Sequence, residues 1–160
     1  MAEGESPATD DARPVDAELD FDILPQLMGY QMRRAQVRIF LDFTETMQTI
    51  QITPGQFGAL ALISANPGLT QSALARAIGI ERSTMVAVID TLEGRGLVER
   101  RPSPVDRRSY ALVLSRDGKA LLEQLRPLVR GHEDRIADRL SGEERRLLID
   151  LLRRVSDGSD

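Results

Sequence analysis

Apolar residues recur at helical spacing along most of this chain, and clear start and stop residues separate the helical segments. From Leu24 to about Thr49 the apolar positions fall on more than one face, with Pro25 in the first turn. A helix of about 26 residues is roughly 39 Å long. A small domain cannot bury such a helix alone, so a partner subunit is the simplest cover.

The middle of the chain predicts three shorter helices. The segment Thr53–Gln56 is a capping box with proline at the first helical position, and its helix ends before Asn66. Thr70 caps a second helix, Gly79 stops it, and a third helix runs over about 82–93. Two short helices that meet at a glycine turn are typical of a helix-turn-helix.

A hairpin and two further helices follow. Residues 97–101 and 109–114 alternate as strands do, and Ser115 caps a long helix to about Leu140. Ser141–Glu144 is a second capping box, and it opens the last helix. That helix has one apolar face, made of Leu147, Leu148, Leu151, Leu152 and Val155. The predicted fold is mainly α with a small β-wing: a winged helix-turn-helix lobe, about 53–114, between N- and C-terminal helices.

Composition excludes several classes of protein. A chain of 160 residues with 41% hydrophobic residues can bury one core, and it has no 18-residue apolar run for a membrane span. Its acidic N-terminus lacks the apolar region of a secretory signal, which favours a cytoplasmic protein. Cysteine is absent and His132 is the lone histidine, so neither a disulfide nor a structural metal site is predicted, and no cofactor is expected.

The third short helix has an apolar face and a polar face. The apolar face consists of Met85, Val88, Ile89 and Leu92. Arg82, Ser83 and Thr84 lie in the first turn, the part of a recognition helix that meets base edges in the DNA major groove. Val86 lies on the same side, where it could touch a thymine methyl, although an exposed valine is also ordinary. Before it, Gln71 and Ser72 start their helix where backbone N–H groups can hold a phosphate.

The hairpin loop and its flank are rich in charge. The candidate DNA-binding residues there are Arg101, Asp106, Arg107 and Arg108. An arginine at a hairpin tip can enter a narrow minor groove, and Asp106 would orient a neighbouring arginine. A solvated charged turn is the alternative, but the position directly after a helix-turn-helix favours DNA.

The net charge of −4 is unevenly distributed. Residues 1–22 contain eight acidic residues and one basic residue, which leaves 20 basic and 17 acidic residues, or +3, for 23–160. Two prolines and few apolar residues predict that 1–22 is a disordered tail. A solvated tail is the simpler interpretation, and competition with DNA for the basic surface is the other.

Three segments together resemble the MarR family of bacterial transcription regulators. They are ERSTMVAVIDTLEGRGLVERR (81–101), the Asp106-x-Arg108 wing, and LVLSRDGKALL (112–122). The resemblance covers about 24–155. It implies a single MarR-like domain over 23–160 that forms an obligate homodimer, with dimerisation helices at about 24–49 and 116–156. It also implies a double-stranded, pseudo-palindromic DNA operator, with Arg108 as the minor-groove arginine.

Two departures from the family pattern bear on specificity. Members often carry a polar residue and an arginine where this chain has Val86 and Ala87, so the operator preference cannot be carried over. The oxidant-sensing branch needs a cysteine, which is absent. The resemblance therefore implies a repressor released by a small molecule, an aromatic carboxylate or aromatic acyl-CoA thioester.

The first helix offers a candidate site for that effector. It carries Tyr30, Arg33, Arg34 and Arg38. Arg34 and Arg38 are four residues apart and share a face, and such a cluster suits a carboxylate or the phosphates of coenzyme A. Alternatively, these arginines pair with acids such as Asp42 or with the partner subunit. His132 is expected at an interface or on the surface.

Two other classes of protein are the alternatives to a DNA-binding regulator. The chain has no metalloprotease, nucleophile-elbow or P-loop motif, so catalysis is not expected. The alternative function is a winged-helix module for protein assembly that does not bind DNA.

Overall fold

The computed structural model describes residues 19–103 and 109–157. Helices in chain order are α1 (Met28–Thr46), α2 (Pro54–Ala65), α3 (Gln71–Ile78), α4 (Arg82–Gly94), α5 (Arg116–Ile136) and α6 (Gly142–Ser156), with strands β1 (Val98–Pro102) and β2 (Tyr110–Leu114) between α4 and α5. Two compact units are distinguished, Met1–Ala35 and Gln36–Asp160. The mainly helical fold with a small two-stranded wing confirms the predicted fold class.

The first helix is shorter than the sequence predicted. Pro25 belongs to a separate 3₁₀ turn, Leu24–Gln26, and the extended backbone of Leu27 divides that turn from α1. At the other end α1 stops at Thr46, and Gln51 takes a left-handed conformation with φ 56° in the connection to α2. Likewise, α5 ends at Ile136 rather than near Leu140.

Part of the predicted acidic tail is described. Within 19–22, the backbone N–H of Asp22 donates to the Asp20 carboxylate over 2.9 Å, and Asp22 has φ 49°. The ring of Phe21 lies 6.4 Å from that of Tyr30. Residues 1–18, the rest of that segment, lie outside the described residues.

The helix starts are those that the capping residues predicted. Thr53 Oγ1 accepts from the N–H of Gln56 at 3.2 Å while the Gln56 side chain accepts from the N–H of Thr53 at 3.0 Å. Ser141 and Glu144 make the same reciprocal pair at the start of α6. Each pair satisfies two helix-end donors that have no partner within the helix, which fixes where α2 and α6 begin.

The core lies in the unit Gln36–Asp160. Its largest fully buried side chains come from α2, α3, α4, the wing strands and α5, together with Met47, and are Met47, Leu60, Ile63, Leu74, Met85, Ile89, Leu92, Val98, Leu112, Leu122 and Leu125. All are aliphatic or methionine, as expected for a chain with 4% aromatic residues. This packing holds α3 and α4 against the wing.

The wing strands pair antiparallel, with Val98 opposite Leu114 and Arg100 opposite Leu112. On its other edge β2 is bridged to Leu69, whose carbonyl accepts from the N–H of Leu112 at 2.9 Å. The carbonyl of Leu112 in turn accepts from the N–H of Gly68 at 2.9 Å. The base of the wing is therefore hydrogen-bonded to the segment that leads into α3.

Candidate nucleic-acid interface

A glycine turn sets the position of α4. Gly79 has φ 77°, a left-handed conformation that a residue without Cβ adopts at little cost, and its N–H donates to the carbonyl of Ala75 at 2.9 Å. The N–H of Ile80 donates to the same carbonyl at 3.1 Å. Two donors on one carbonyl end α3 sharply, and α4 begins three residues after Gly79.

The first turn of α4 is open to an anion. Arg82, Ser83 and Thr84 are all exposed, as the sequence predicted for the DNA-facing turn. Glu81 occupies the N-cap position but makes no side-chain capping hydrogen bond. The first backbone N–H groups of α4 thus have no side-chain cap, and such groups together with the helix dipole favour a negatively charged ligand.

Val86 is half-buried rather than fully exposed. The predicted apolar face of α4 holds, because Met85, Ile89 and Leu92 are buried and Val88 is half-buried. Val86 directly follows the buried Met85, so it lies at the margin of that face. Part of its surface stays open on the side of Arg82 and Ser83, and its contact with a thymine methyl stays a prediction.

The start of α3 presents the two predicted phosphate-binding residues. Gln71 and Ser72 are half-buried, and Thr70 Oγ1 caps the helix by accepting from the N–H of Ala73 at 3.2 Å. The amide nitrogen of Gln71 is buried and has no hydrogen-bond partner among the described residues. The backbone N–H groups of Gln71 and Ser72 lie in the first turn of α3, where the helix dipole also favours an anion.

One of the predicted wing residues lies in the described part of the hairpin. Arg101 is exposed and donates from Nε and a terminal nitrogen to Glu99 Oε2 at 3.1 and 2.8 Å. The other three, Asp106, Arg107 and Arg108, lie outside the described residues.

Arg100, the neighbour of Arg101, was not among the predicted site residues. Its guanidinium donates to Glu93 through one terminal nitrogen and to Asp90 through the other, and both acids are on α4. Strand alternation could have identified it, because Arg100 shares a face with the buried Val98. Asp90 and Glu93, three residues apart on one helix, supply the matching acids.

The candidate effector residues lie along α1. In the unit Met1–Ala35, Tyr30 is half-buried and the Arg34 guanidinium carbon lies 5.7 Å from the centre of its ring, a cation–π contact. Arg33 is exposed in the same unit. In the unit Gln36–Asp160, Arg38 pairs with Asp138 at 3.6 Å, with both side chains largely exposed.

Asp42 does not pair with any of those arginines among the hydrogen bonds and ion pairs described. His132 Nδ1 lies 2.7 Å from Asp42 Oδ1, and Arg135 donates to both carboxylate oxygens at 2.8 and 3.1 Å. Hydrogen bonds from Arg135 and then His132 hold the pKa of Asp42 far below its usual value. His132 is 2% exposed and packs edge-on against Phe43, so the expected surface position was wrong.

The described residues also bear on metal binding and on membrane insertion. Across 19–103 and 109–157, no three histidine or acidic side chains are placed to hold a metal ion. None of the helices there is long and apolar enough to cross a membrane.

A helix that opens with exposed arginine and hydroxyl side chains, set by a glycine turn beside a hairpin, defines a winged helix-turn-helix protein of the DNA-binding class. The MarR family model matches residues 52–110. The putative transcriptional regulatory protein for the hcr operon of Thauera aromatica is 40% identical over 140 residues, 87% of this chain and 84% of that protein. The chain belongs to the MarR family.

Solved structures of the transcriptional repressor CouR are similar over nearly their whole length. CouR bound to a 23-mer DNA duplex is 42% identical, with a TM-score of 0.83, and the match covers 88% of this chain and 99% of that one. CouR bound to p-coumaroyl-CoA is 41% identical, with a TM-score of 0.80, over 87% and 98% of the two chains.

Family membership decides between the functional classes. The protein is a DNA-binding transcriptional repressor of the MarR type, and it is not an enzyme. The predicted resemblance to the family is therefore confirmed, and the assembly-module alternative gains no support.

Proposed function

We propose that the protein is a homodimer that represses transcription from a pseudo-palindromic operator and is released by an aromatic acyl-CoA thioester or the corresponding small aromatic acid. Because it binds chromosomal DNA, it works in the bacterial cytoplasm. The observation that carries the effector part is the set of exposed arginines on α1 beside Tyr30.

In this proposal each lobe uses its helix-turn-helix and wing together. Arg82, Ser83 and Thr84 enter the major groove, and Val86 touches the groove wall from the margin of the apolar face. Gln71 and Ser72 hold a phosphate at the start of α3. The wing set is Arg101, Asp106, Arg107 and Arg108, with Arg108 in the minor groove. In a dimer the half-sites lie about one helical turn apart, roughly 34–36 Å.

Apolar exposure supports the dimer. No residue of α6 is buried, and its apolar face is exposed at 40–57% for Leu147, Leu148, Leu151, Leu152 and Val155. On α1, Phe40 and Leu41 are likewise exposed. Exposed apolar surface of this extent marks a protein interface, and both helices are the ones that the resemblance assigned to dimerisation.

Charge and likeness to CouR support the thioester. Arginine is suited to phosphate groups because its planar donors can bind two oxygens at once, and coenzyme A carries several phosphates. The ion pair between Arg38 and Asp138 is exposed, so it is weak and can be exchanged for a ligand phosphate. CouR, 41% identical to this chain, was solved with p-coumaroyl-CoA.

The test uses an operator selected from a randomised duplex library and measures protein binding by fluorescence anisotropy. p-Coumaroyl-CoA, free coenzyme A and p-coumarate are titrated separately into the preformed complex. We expect release by the thioester, and weaker or no release by either half alone. Replacing Arg34 and Arg38 together by glutamine should preserve operator binding and abolish release.

Two control proteins sharpen the interpretation. Arg153→Gln with Arg154→Gln removes the same charge from exposed positions of α6 and should leave the response intact. Arg108→Ala should weaken operator binding by roughly 1–3 kcal/mol, the scale of one good base contact. If the Arg34/Arg38 variant is released normally, the effector binds elsewhere. If none of the three compounds releases the wild-type protein, the effector class is wrong.

A further inference from the structure

The recognition helix carries two acidic residues that oppose DNA unless they are neutralised. Asp90 follows Ser83 by seven residues and Val86 by four, so its carboxylate lies on the side of α4 proposed to enter the groove. Asp90 is eight residues from Arg82, roughly 12 Å along the helix. That distance is shorter than the Debye length at low salt, about 30 Å at 0.01 M, but longer than the value of about 8 Å at 0.15 M, so the charge of Asp90 acts there chiefly at low ionic strength.

Arg100 binds both of these acids from β1. One terminal nitrogen of its guanidinium donates to Glu93 Oε2 and the other to Asp90 Oδ1. The Arg100 side chain is 18% exposed, against 58% for Asp90 and 41% for Glu93. The cation is therefore largely covered and already committed to two carboxylates, which leaves it poorly placed to contact a phosphate itself.

The adjacent pair provides a contrast within the same strand. Arg101 is exposed and bonds Glu99, which is two residues away on β1. That pair lies within β1. Arg100, by contrast, connects β1 with α4, the helix proposed to read the bases.

We infer that Arg100 is a positioning residue for operator binding: its single positive charge offsets one of the two negative charges of Asp90 and Glu93, and it fixes α4 to the base of the wing, without touching DNA. The inference rests on the proposed placement of α4 in the major groove. It assigns the loss of affinity in an Arg100 variant to the two uncovered carboxylates. Neutralising those carboxylates should then restore binding.

The experiment compares Arg100→Gln with the triple variant Asp90→Asn, Glu93→Gln, Arg100→Gln. Binding to the selected operator is measured by anisotropy from low to moderate salt, after circular dichroism and thermal unfolding show that each protein is folded. Arg100→Gln should bind roughly five- to tenfold more weakly at low salt, because two carboxylates are left unpaired near the phosphates. The triple variant should return to within about threefold of the wild type, since three polar amides retain the shape without the charge.

Arg101→Gln and the double variant Glu99→Gln, Arg101→Gln are the matched controls. If Arg101 contacts DNA as proposed, neutralising Glu99 does not recover the lost affinity, so rescue should be confined to the Arg100 set.

A triple variant that binds as weakly as Arg100→Gln would overturn the inference, because the positive charge of Arg100 would then contribute to DNA binding directly. Undiminished binding by Arg100→Gln would overturn it as well. If Arg100→Gln does not fold, rescue by the triple variant still decides the question. A wild-type protein that binds no duplex would refute the proposed function, and the inference with it.

Discussion

At the residue scale, Gly118 has the least room for a side chain among the glycines of the described residues. It lies in the first turn of α5, where Ser115 Oγ accepts its N–H at 2.9 Å and also donates to the carbonyl of Gly96 at 2.6 Å. These bonds draw α5 onto the connection between α4 and β1. A Cβ on Gly118 would lie 2.0 Å from the carbonyl oxygen of Leu97, far inside van der Waals contact.

We expect Gly118→Ala to lower the free energy of unfolding by at least about 1–3 kcal/mol, the usual cost of overpacking, because the obstructing atom is backbone and cannot rotate away. Gly131→Ala, in the interior of the same helix, is the matched control. Its Cβ would lie 3.6 Å from the Arg135 guanidinium, an ordinary van der Waals distance, so the gain in helix propensity should stabilise the protein by roughly 0.5–1 kcal/mol. Urea unfolding measures both, and equal effects would contradict the close approach.

The first turn of α5 shows what the sequence could and could not predict. Ser115 identified the start of α5, because capping is a local property of a few neighbouring residues. The constraint on Gly118 depends on Leu97, which lies far earlier in the chain, and no pattern within the helix indicates it. Arg100 was missed as a partner of α4 for the same reason, because its two acids lie on another element, although strand alternation could have indicated that it shares a face with Val98.

At the scale of elements, the predicted helix starts held better than the ends. Thr53, Thr70, Ser115 and Ser141 each cap the helix that the sequence assigned to them. The end of α1 had no comparable stop residue, and apolar spacing alone extended the prediction to about Thr49. Arg95 explains part of the difference, since it donates to the carbonyls of Ile50 and Gln51 and fixes the chain in a turn there.

The junction of α1 with α5 depends on Asp42. Its carboxylate accepts hydrogen bonds from Arg135 and, because an ionised carboxylate has no donor, from the Nδ1–H of His132. These bonds lower the pKa of Asp42. A carboxyl group with a lowered pKa stabilises the fold above its unfolded value, about 3.9, and loses that contribution as the pH falls through the folded value.

Asp42→Asn should therefore lower the free energy of unfolding at pH 7 by about 1.5–3 kcal/mol, the range for hydrogen bonds to charged groups. The difference from the wild type should stay constant down to about pH 5 and shrink below about pH 4. Urea titrations at several pH values measure it. Asp138→Asn is the control, because its exposed pair with Arg38 should change stability by less than about 1 kcal/mol. A pH-independent difference for Asp42 would refute the role of its ionisation.

At the scale of the whole molecule, the exposed apolar faces of α1 and α6 are what the proposed dimer would cover. Leu148→Glu with Leu152→Glu places two carboxylates on one turn of the α6 face. Burying unpaired charge is costly, so dimerisation should weaken by at least about 100-fold. Sedimentation velocity at micromolar concentration should then show monomer, with operator binding lost as well.

Arg146→Glu, an exposed change on the same helix, should leave the sedimentation of the dimer unchanged. A folded wild-type monomer at that concentration would refute the dimer. A Leu148/Leu152 variant that still sediments as a dimer would place the contact on another surface.

Strand β2 has a mechanical consequence. Its first end leads to the wing tip, Leu112 is hydrogen-bonded to the residues before α3, and its last end runs into the cap of α5 at Ser115. One short strand thus joins the long helix to the start of the helix-turn-helix and to β1. We therefore expect a displacement of α5 at Ser115 to shift the paired strands and the start of α3 together, because hydrogen bonds connect all three.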